Sequence, residues 1–335
     1  MDNIDNVVVS SRVRLARNVE GVPFPRRMRE NDQATFDILL TGVKNAIGND
    51  FEYNYYDMSA LPDVSKQALM ERHLISHDLM ANSDNGKAII SRDQTISIMI
   101  NEEDHIREQC LLPGYQLEAA YNKINGLDDE LSKNLKFAFD ERLGYLTSCP
   151  TNLGTGMRAS AMMFLPGLTI LGTIDNFFNT AGKLGLTARG IYGEGSDADG
   201  YLYQISNEVS LGISEQDILR RVDTFVNRVA ESELRAREIL LEKEGVTLID
   251  KICRAYGILT NAYMISTDES LRLLSLLKIG VSGNIIKDVA MRTLNTLTDG
   301  IGSGEICVEA GRILSSVERD IERAKKIKKY LTKSK

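Results

Sequence analysis

Two predicted strands, at residues 186–192 and 201–209, are separated only by residues 193–200 of this 335-residue chain. Both are predicted as strands because they are rich in β-branched and aromatic residues or alternate in polarity. A connection this short can close a hairpin, whereas a parallel pair needs a crossover of about a dozen or more residues. The spacing therefore favours an antiparallel sheet.

The rest of the chain divides into a mixed part and a helical part. Further strands are predicted at residues 7–10, 52–57 and 95–100, and helices at residues 32–47, 65–75, 116–143 and 166–184. From residue 214 onward the pattern is almost wholly helical, at residues 231–244, 248–259, 268–277 and 317–331. We predict an α+β domain at residues 1–236 and an all-helical domain at residues 237–335.

Composition narrows the class of protein. A hydrophobic content of 43% and a charged content of 26% are typical of a soluble globular chain. No apolar run reaches the roughly 20 residues of a membrane helix and no signal peptide is evident, so we expect a cytoplasmic protein without a membrane partner. The net charge of -7 argues against direct binding to nucleic acid. Four separate cysteines and three histidines, without a C-x-x-C pair, indicate neither a zinc site nor a disulfide framework.

The segment from Cys149 to Ser160 combines a thiol, two glycines and Arg158 in a stretch that resembles a loop. Its Pro-Thr-Asn run disfavours a helix, and its glycines would let the backbone approach a ligand closely. Arg158 offers a planar fork of donors to a pair of anionic oxygens. The segment predicts a reaction centre. A dinucleotide-binding loop is rejected because no hydrophobic strand precedes the glycines and no helix start is evident after them.

Two arginines follow the first predicted strand. Arg12 and Arg14 lie two residues apart, so they should project from the same face of an extended chain. Paired guanidinium groups on one face favour phosphate, although two exposed arginines in salt bridges would give the same pattern.

Acids follow two other predicted strands. Glu102, Glu103 and Asp104 lie between a strand and Arg107, and their mutual repulsion is smaller when a metal ion or a guanidinium group lies among them. An exposed acidic turn is the alternative. Glu194 ends a glycine-containing turn that begins at an arginine, Arg189.

These motifs together resemble the phosphagen (guanidino) kinases. The matching segments, in chain order, are Ser11-Arg12-Val13-Arg14, Asn101-Glu102-Glu103-Asp104-His105, Cys149 to Gly156 and Arg189-Gly190-Ile191-Tyr192-Gly193-Glu194. The resemblance covers residues 7–236. It implies a curved antiparallel sheet flanked by helices, with ATP and Mg²⁺ as cofactors. It also implies transfer of the γ-phosphoryl group to a guanidinium nitrogen.

The resemblance further implies roles for single residues. Glu103 and Glu194 would hold the acceptor guanidinium, and one of them would act as general base. Cys149, as a thiolate, would help to position it unless it is an inert core thiol, and Glu102 would hold a metal-bound water. The residues implied to contact ATP are Ser10, Ser11, Arg12, Val13, Arg14, His73, Arg107, Arg158, Ala159, Ser160, Ala161, Met162, Arg189, Gly190, Ile191, Tyr192, Gly193 and Glu194.

Two departures from the family pattern change the expected acceptor. Metabolic members carry a helical domain before the Ser-Arg-x-Arg motif, and its loop closes over a free amino acid, whereas Arg12 lies almost at the start of this sequence. Near the other end, Arg319-Asp320-Ile321-Glu322-Arg323-Ala324 resembles a motif of the bacterial protein arginine kinases. That motif implies a second pocket, in which two arginines clasp the phosphate of a phosphoarginine and Asp320 accepts from its guanidinium.

The implied acceptor is therefore an arginine side chain of another protein. A kinase for a free guanidino compound and a non-catalytic phosphoarginine-binding adaptor stay open as alternatives. By the same resemblance we expect a homodimer, a separate activator protein, and a stress-response role in marking proteins for a Clp protease.

Overall fold

The structure is a computed structural model, and it describes residues 3–27, 33–48, 53–81, 84–190 and 200–332. Its centre is an eight-stranded sheet in which every neighbouring pair is antiparallel, as predicted. In chain order the strands of the sheet are β1 (Val8–Arg17), β2 (Tyr53–Asp57), β3 (Lys87–Ser91), β4 (Ile96–Ile100), β5 (Ile106–Pro113), β8 (Met157–Phe164), β9 (Leu186–Gly190) and β10 (Leu202–Asn207). The two-residue strands β6 (Phe139–Asp140) and β7 (Gly144–Tyr145) form a separate hairpin.

The order of strands in the sheet is β2-β3-β4-β5-β1-β8-β10-β9, which puts β1 near the middle. Six helices flank it: α1 (Gln33–Ile47), α2 (Asp63–Glu71), α3 (His77–Ala81), α4 (Leu117–Asn134), α5 (Pro166–Ile170) and α6 (Ile174–Lys183). The remaining helices are α7 (Glu215–Asn261), α8 (Thr267–Ser282), α9 (Met291–Gly300), α10 (Ser303–Ala310) and α11 (Ser316–Thr332). Within the described residues, no helix is both long and apolar enough to cross a membrane.

Alternation along the central strands separates a packed face from an open one. Val13, Leu15 and Ala159 point into the main core, where Ile124 of α4 and Val222 of α7 meet them. Residues of opposite parity on the same strands point to the other face. Part of that other face, over β3 and β4, is covered by α2 and α3 through a smaller cluster of buried apolar side chains. The part around Arg14 of β1, Arg107 of β5 and Arg158 of β8 lines a cavity and forms the candidate site.

Gly245 interrupts the long helix α7, with φ 39° and ψ -118°. This break lies between the predicted helices 231–244 and 248–259, which are thus two separate helical stretches, as predicted. Beyond the interruption, a separate core that includes Leu274, Leu294 and Ile327 holds α8, α9 and α11 together. An all-helical C-terminal region is confirmed.

Several predicted elements were wrong in extent. The predicted helix 116–143 ends at Asn134, because Leu135 adopts an extended backbone with φ -133° and its buried side chain joins the core. Its last part instead forms the β6–β7 hairpin. The predicted helix 166–184 is broken at Gly172, where φ is +69°. Strands β3, β5 and β8 were not predicted. Residues 191–199, which include the end of one predicted strand and the connecting turn, lie outside the described residues.

Candidate functional site

Five arginines converge on the open face of the sheet. They come from four strands and are Arg12 and Arg14 of β1, Arg107 of β5, Arg158 of β8 and Arg189 of β9. Arg14 and Arg158 are directly opposite each other in the β1–β8 ladder. A cavity of about 240 Å³ is lined by four of the five, together with Glu102, Glu103 and Cys149. The sheet therefore brings together residues that are up to 177 positions apart, from Arg12 to Arg189.

Electrostatics in this arginine cluster favour an anion. Burial, together with the charges of Arg107, Arg158 and Arg189, lowers the pKa of Arg12 to about 10. Burial and three neighbouring arginines also lower the pKa of Arg14 well below its ordinary value, although Glu102 opposes them. The Nε atom of Arg14 is buried and has no hydrogen-bond partner among the described residues. Cations held this close to one another lose free energy unless a negative charge lies among them.

Glu102 is already occupied within the protein. Its Oε1 accepts hydrogen bonds from Nη1 of Arg107 and Oγ of Ser76, both at 2.5 Å, and its Oε2 accepts from the backbone N–H of Glu103 at 3.1 Å. Burial alone would raise the pKa of Glu102, but these partners outweigh it and hold the pKa below its ordinary value. Glu102 is thus an ionised anchor for Arg107, and its predicted contact with a metal-bound water stays a prediction.

Glu103 and Cys149 line the same cavity as the arginines. Cys149 precedes the short helical turn Pro150–Asn152, and its Sγ lies 3.0 Å from Oγ1 of Thr151. A carboxylate and a thiol thus border an arginine-rich cavity. Such a lining can hold a guanidinium group beside the carboxylate while anionic oxygens lie among the arginines.

Asp104 fixes the start of the Cys149 loop from a buried position. Its Oδ1 accepts from the backbone N–H of Ser148 at 2.6 Å and from Nδ2 of Asn18 at 2.7 Å. His105 is likewise structural, because its Nδ1 accepts from Val19 N–H at 3.0 Å and its Nε2 lies 2.8 Å from the carbonyl oxygen of Pro23. The sequence reasoning assigned no role to Asp104, whose immediate position after Glu103 was the available signal.

The glycines of the loop are also needed for packing within the protein, and the approach of a ligand to them stays a prediction. Gly154 and Gly156 have φ of +110° and +66°. A Cβ at Gly154 would lie 2.3 Å from the carbonyl oxygen of Ser210, and one at Gly156 would lie 2.5 Å from Nη1 of Arg17. Backbone packing therefore requires both glycines. From Met157 onward the predicted loop is strand β8, so Arg158 stands on a rigid strand and donates to Oγ of Ser206 at 3.0 Å.

Arg17 anchors the loop from the opposite face of β1. Its Nε and Nη2 donate to the carboxylate of Asp128 on α4, at 2.9 and 2.7 Å. Its Nη1 donates to the carbonyl oxygen of Thr155 at 2.9 Å, and its guanidinium carbon lies 3.6 Å from the centre of the Tyr145 ring. One side chain therefore joins a core helix, the β7 strand and the Cys149 loop.

His73 lies in a second, smaller cavity next to the arginine cluster, together with Ser10, Arg12, Ser160 and Met162. Burial and then the charge of Arg12 lower the pKa of His73 to about 4, so its ring is neutral at neutral pH. This cavity brings His73 together with predicted nucleotide contacts from β1 and β8.

Other predicted nucleotide contacts do not face the cavity. Ser11, Val13, Ala159 and Ala161 are buried on the packed face of the sheet. Oγ of Ser11 donates to the carbonyl oxygen of Gly114 and accepts from Gln116 N–H, at 3.0 and 2.9 Å. Gly190 ends β9, and the predicted residues Ile191, Tyr192, Gly193 and Glu194 lie outside the described residues.

The C-terminal motif lies on α11. Arg323 is 1% exposed and donates to the carbonyl oxygens of Ile301 and Ile265, at 2.8 Å each, and to Asp320 at 2.5 Å. Arg319 donates to the carbonyl oxygen of Leu314 at 3.1 Å, and Ala324 is buried. Arg323 thus ties α11 to two other segments. A phosphate clasp formed by both arginines stays a prediction.

Within the described part of the chain, no three His, Cys, Asp or Glu side chains converge as metal ligands. The candidate site therefore consists of arginines, two neighbouring acids and a thiol, around a cavity whose lining suits both an anion and a guanidinium group.

Comparison with known families divides the chain near the interruption in α7. The family model described as ATP:guanido phosphotransferase, C-terminal catalytic domain, matches residues 37–236. The model described as Protein-arginine kinase McsB C-terminal domain matches residues 245–335.

Among curated proteins, the chain is similar to protein-arginine kinases. The one from Caldanaerobacter subterraneus subsp. tengcongensis is 42% identical over 332 residues, which cover 98% of each chain. The one from Halothermothrix orenii is 42% identical over 327 residues, covering 97% of this chain and 93% of that protein.

Among solved structures, the duplicated taurocyamine kinase from Schistosoma mansoni with bound transition-state analogue components aligns with a TM-score of 0.63 at 28% identity. The alignment covers 79% of this chain and 40% of that longer one. Lombricine kinase aligns with a TM-score of 0.59 at 27% identity, covering 70% of this chain and 67% of that one.

Proposed function

Because the chain belongs to the ATP:guanido phosphotransferase family, we propose that it transfers the γ-phosphoryl group of MgATP to arginine side chains of protein substrates. The observation that carries the proposal is a single cavity with an arginine cluster beside Glu103 and Cys149. Polyphosphate and guanidinium are the two groups that such a cavity would hold side by side. Names of similar proteins over nearly the whole chain support the arginine acceptor.

The arginines would act on the phosphates. Arg12, Arg14 and Arg158 project from rigid neighbouring strands, so their positions would be set before the nucleotide arrives. In the transition state the negative charge is spread over the oxygens of the transferring phosphoryl group. Guanidinium groups in fixed positions stabilise that charge. Arg107 would be held in place by its ion pair with Glu102.

The acceptor needs orientation and loss of a proton. A guanidinium has a pKa above about 12 and delocalised lone pairs, so it is a poor nucleophile. Glu103, with Glu194 from outside the described residues, would hold it so that one nitrogen faces the γ-phosphorus. As the N–P bond forms and the bond to the ADP oxygen breaks, one of these carboxylates would accept the proton from that nitrogen. Cys149 would support the position of the acceptor.

Mg²⁺ would accompany the nucleotide. Within the described residues no cluster of three metal-binding side chains is found, and Glu102 is held by Arg107 and Ser76. The donor set therefore fits an ion that is held mainly by the phosphates, where it would neutralise part of their charge. Glu102 would contact that ion only through a water molecule.

One experiment separates the three candidate activities. The protein is incubated with MgATP and either free arginine or an unfolded arginine-rich protein, and acid-labile phosphate is identified by mass spectrometry. We expect label on arginine side chains of the protein. Label on free arginine only would replace the proposal with a kinase for a free guanidino compound, and no label on either would favour a phosphoarginine-binding adaptor.

The remaining expectations rest on the resemblance alone. A phosphoarginine pocket around Arg319 and Asp320, a homodimer, an activator protein and a link to a Clp protease in the stress response stay predictions, as does a cytoplasmic location. Affinity for free phosphoarginine tests the first of them. An Asp320→Ala variant with undiminished affinity would contradict the pocket.

A further inference from the structure

Four residues, joined by an ion pair and hydrogen bonds, connect the end of α2 to the start of α10 in the helical domain. The carboxylate of Glu71 accepts from the backbone N–H groups of Gly304 and Glu305, at 3.0 Å each. Arg72 donates in return to both oxygens of Glu305, from Nε at 2.7 Å and from Nη2 at 2.5 Å. We call these four residues the α2–α10 clasp.

The clasp belongs to a close-packed contact. Glu305 is 5% exposed, and a Cβ on Gly304 would lie 2.6 Å from the backbone nitrogen of Ala68. The two helices thus touch backbone to backbone. Next to the clasp, buried Ile306 and Cys307 pack with Val64 of α2. A bidentate guanidinium–carboxylate pair in such surroundings holds its partners in one geometry.

What the clasp holds is the turn that carries His73. At the end of α2, the N–H of His73 donates to the carbonyl oxygen of Met70 and that of Leu74 to Leu69, both at 2.9 Å. This pattern requires a left-handed residue, and His73 supplies it with φ 60°. A residue other than glycine is strained in that conformation, so neighbouring contacts must stabilise it. Arg72, adjacent to His73, is one end of the clasp.

The same turn reaches both parts of the active site. His73 lines the cavity that contains Arg12 and Ser160. Three residues later, Oγ of Ser76 donates to Glu102, which pairs with Arg107. Residues 71–76 therefore contact the helical domain at one end, and a nucleotide-side cavity and the Glu102–Arg107 pair at the other.

We infer that α10 is a positioning element of the nucleotide site, and that Glu305 is a positioning residue which acts on ATP binding through Arg72 and His73. The inference rests on the proposed function, since it takes the His73 cavity to be part of the ATP site. It assigns to the helical domain a role in the phosphoryl-donor half of the reaction. Neither Glu305 nor Arg72 lines the cavities of the candidate site.

The first test measures ATP affinity in the full-length protein by isothermal titration calorimetry. In Glu305→Gln, which keeps the shape but loses the ion pair, we expect the dissociation constant for ATP to rise about three- to thirtyfold. Glu309→Gln is the matched control on the same helix, because Glu309 pairs with Lys326 instead of α2. Its dissociation constant should equal that of the wild type.

Steady-state kinetics then separate positioning from general damage. The KM for ATP should rise by a similar factor in Glu305→Gln, while kcat at saturating ATP stays within about twofold of the wild type. Arg72→Lys, which keeps the charge but loses the two-pronged geometry, should show the same split. Melting temperatures identify the temperature range in which each variant is folded, and all comparisons are made within that range.

A double-mutant cycle with His73→Ala decides the route. If Glu305 acts through His73, the two substitutions together weaken ATP binding no more than His73→Ala alone. Additive effects would overturn the inference, as would wild-type affinity in both Glu305→Gln and Arg72→Lys. A wild-type protein that does not bind ATP would instead overturn the proposed function.

Discussion

Arg14 and Arg17 lie three residues apart on β1 and have opposite electrostatic surroundings. Arg14 faces the open side of the sheet, where burial and neighbouring arginines lower its pKa. Arg17 faces the packed side and is 1% exposed. Burial would lower the pKa of Arg17 too, but its charge–charge contact and hydrogen bonds with Asp128 outweigh burial and raise it.

One strand thus carries both a structural arginine, Arg17, and an arginine of the candidate site, Arg14. Arg17 has its counter-ion within the fold, so it stabilises the folded state and anchors the Cys149 loop. Among the described residues, the charged neighbours of Arg14 are three arginines and Glu102, and its Nε has no hydrogen-bond partner. A bound anion would offset the repulsion among these arginines. The residue that is less satisfied in the free protein is the one available for function.

The largest expected effect is the loss of activity when Arg14 is replaced. Arg14→Met removes one guanidinium from the transferring phosphoryl group, so kcat/KM for arginine phosphorylation should fall about a thousandfold or more. The melting temperature should stay the same or rise, because repulsion within the arginine cluster decreases. Initial rates of phosphoarginine formation and a thermal melt check both parts. Activity within tenfold of the wild type would remove Arg14 from the mechanism.

The structural end should respond in the opposite way. Arg17→Met leaves Asp128 buried without its cation, beside the buried carboxyl of Glu108. We expect the free energy of unfolding, measured in urea, to fall by about 3–5 kcal/mol. Arg142→Met, at an exposed position, is the control and should change it by less than about 0.5 kcal/mol. Equal stability of the two variants would contradict the anchor role of Arg17.

A polyanion should sharpen the contrast. The lowered pKa values mean that the charged guanidinium groups are less stable in the folded protein than in the unfolded chain. A bound anion should therefore stabilise the fold. Inorganic triphosphate at a hundred times its dissociation constant should add about 2.7 kcal/mol to the free energy of unfolding, seen as a raised melting temperature. Arg14→Met should lose most of this gain at the same concentration. An equal gain in both proteins would place the anion elsewhere.

The smallest effect is a pH dependence at the edge of the cluster. The pKa of His73 is about 4 in the folded protein and near 6.5 in the unfolded chain. A base with a lowered pKa makes the fold lose stability as pH falls, here from about 6.5 to about 4. Between pH 7 and pH 5 the wild type should lose up to about 2 kcal/mol more than His73→Gln in urea unfolding. Parallel pH profiles would show that burial and the charge of Arg12 do not lower the pKa of His73.

Much of the fold followed from local pattern. The antiparallel sheet was predicted from the short connection after residue 192, and the helical C-terminal region from its periodicity. The strands β5 and β8 were not predicted: β5 directly follows an acidic turn, and β8 follows two glycines that are typical of a loop. In both cases the strand is stabilised by its neighbours in the sheet, which sequence reasoning could not identify.

Alternation along β1 also predicts the direction of the Arg17 side chain. Arg12 and Arg14 share one parity, and Arg17 has the other, so it must point with Val13 and Leu15 into the core. A lone arginine on a core face requires a buried acid, and this signal could have indicated an anchor. Its partner, Asp128, could not be named, because it lies 111 residues away on α4.

Local sequence pattern indicated the groups of the candidate site, which are arginines at alternate positions of a strand, adjacent acids and a thiol loop, and it predicted the helical C-terminal region. Only the packing in three dimensions shows that Arg17 has a buried acid as its partner while Arg14 lies among other arginines, and that residues 71–76 connect the helical domain to the cavity. The physical reason is range. Strand alternation acts over two residues, whereas charge pairing and close packing depend on distances in space between segments that are far apart in the chain.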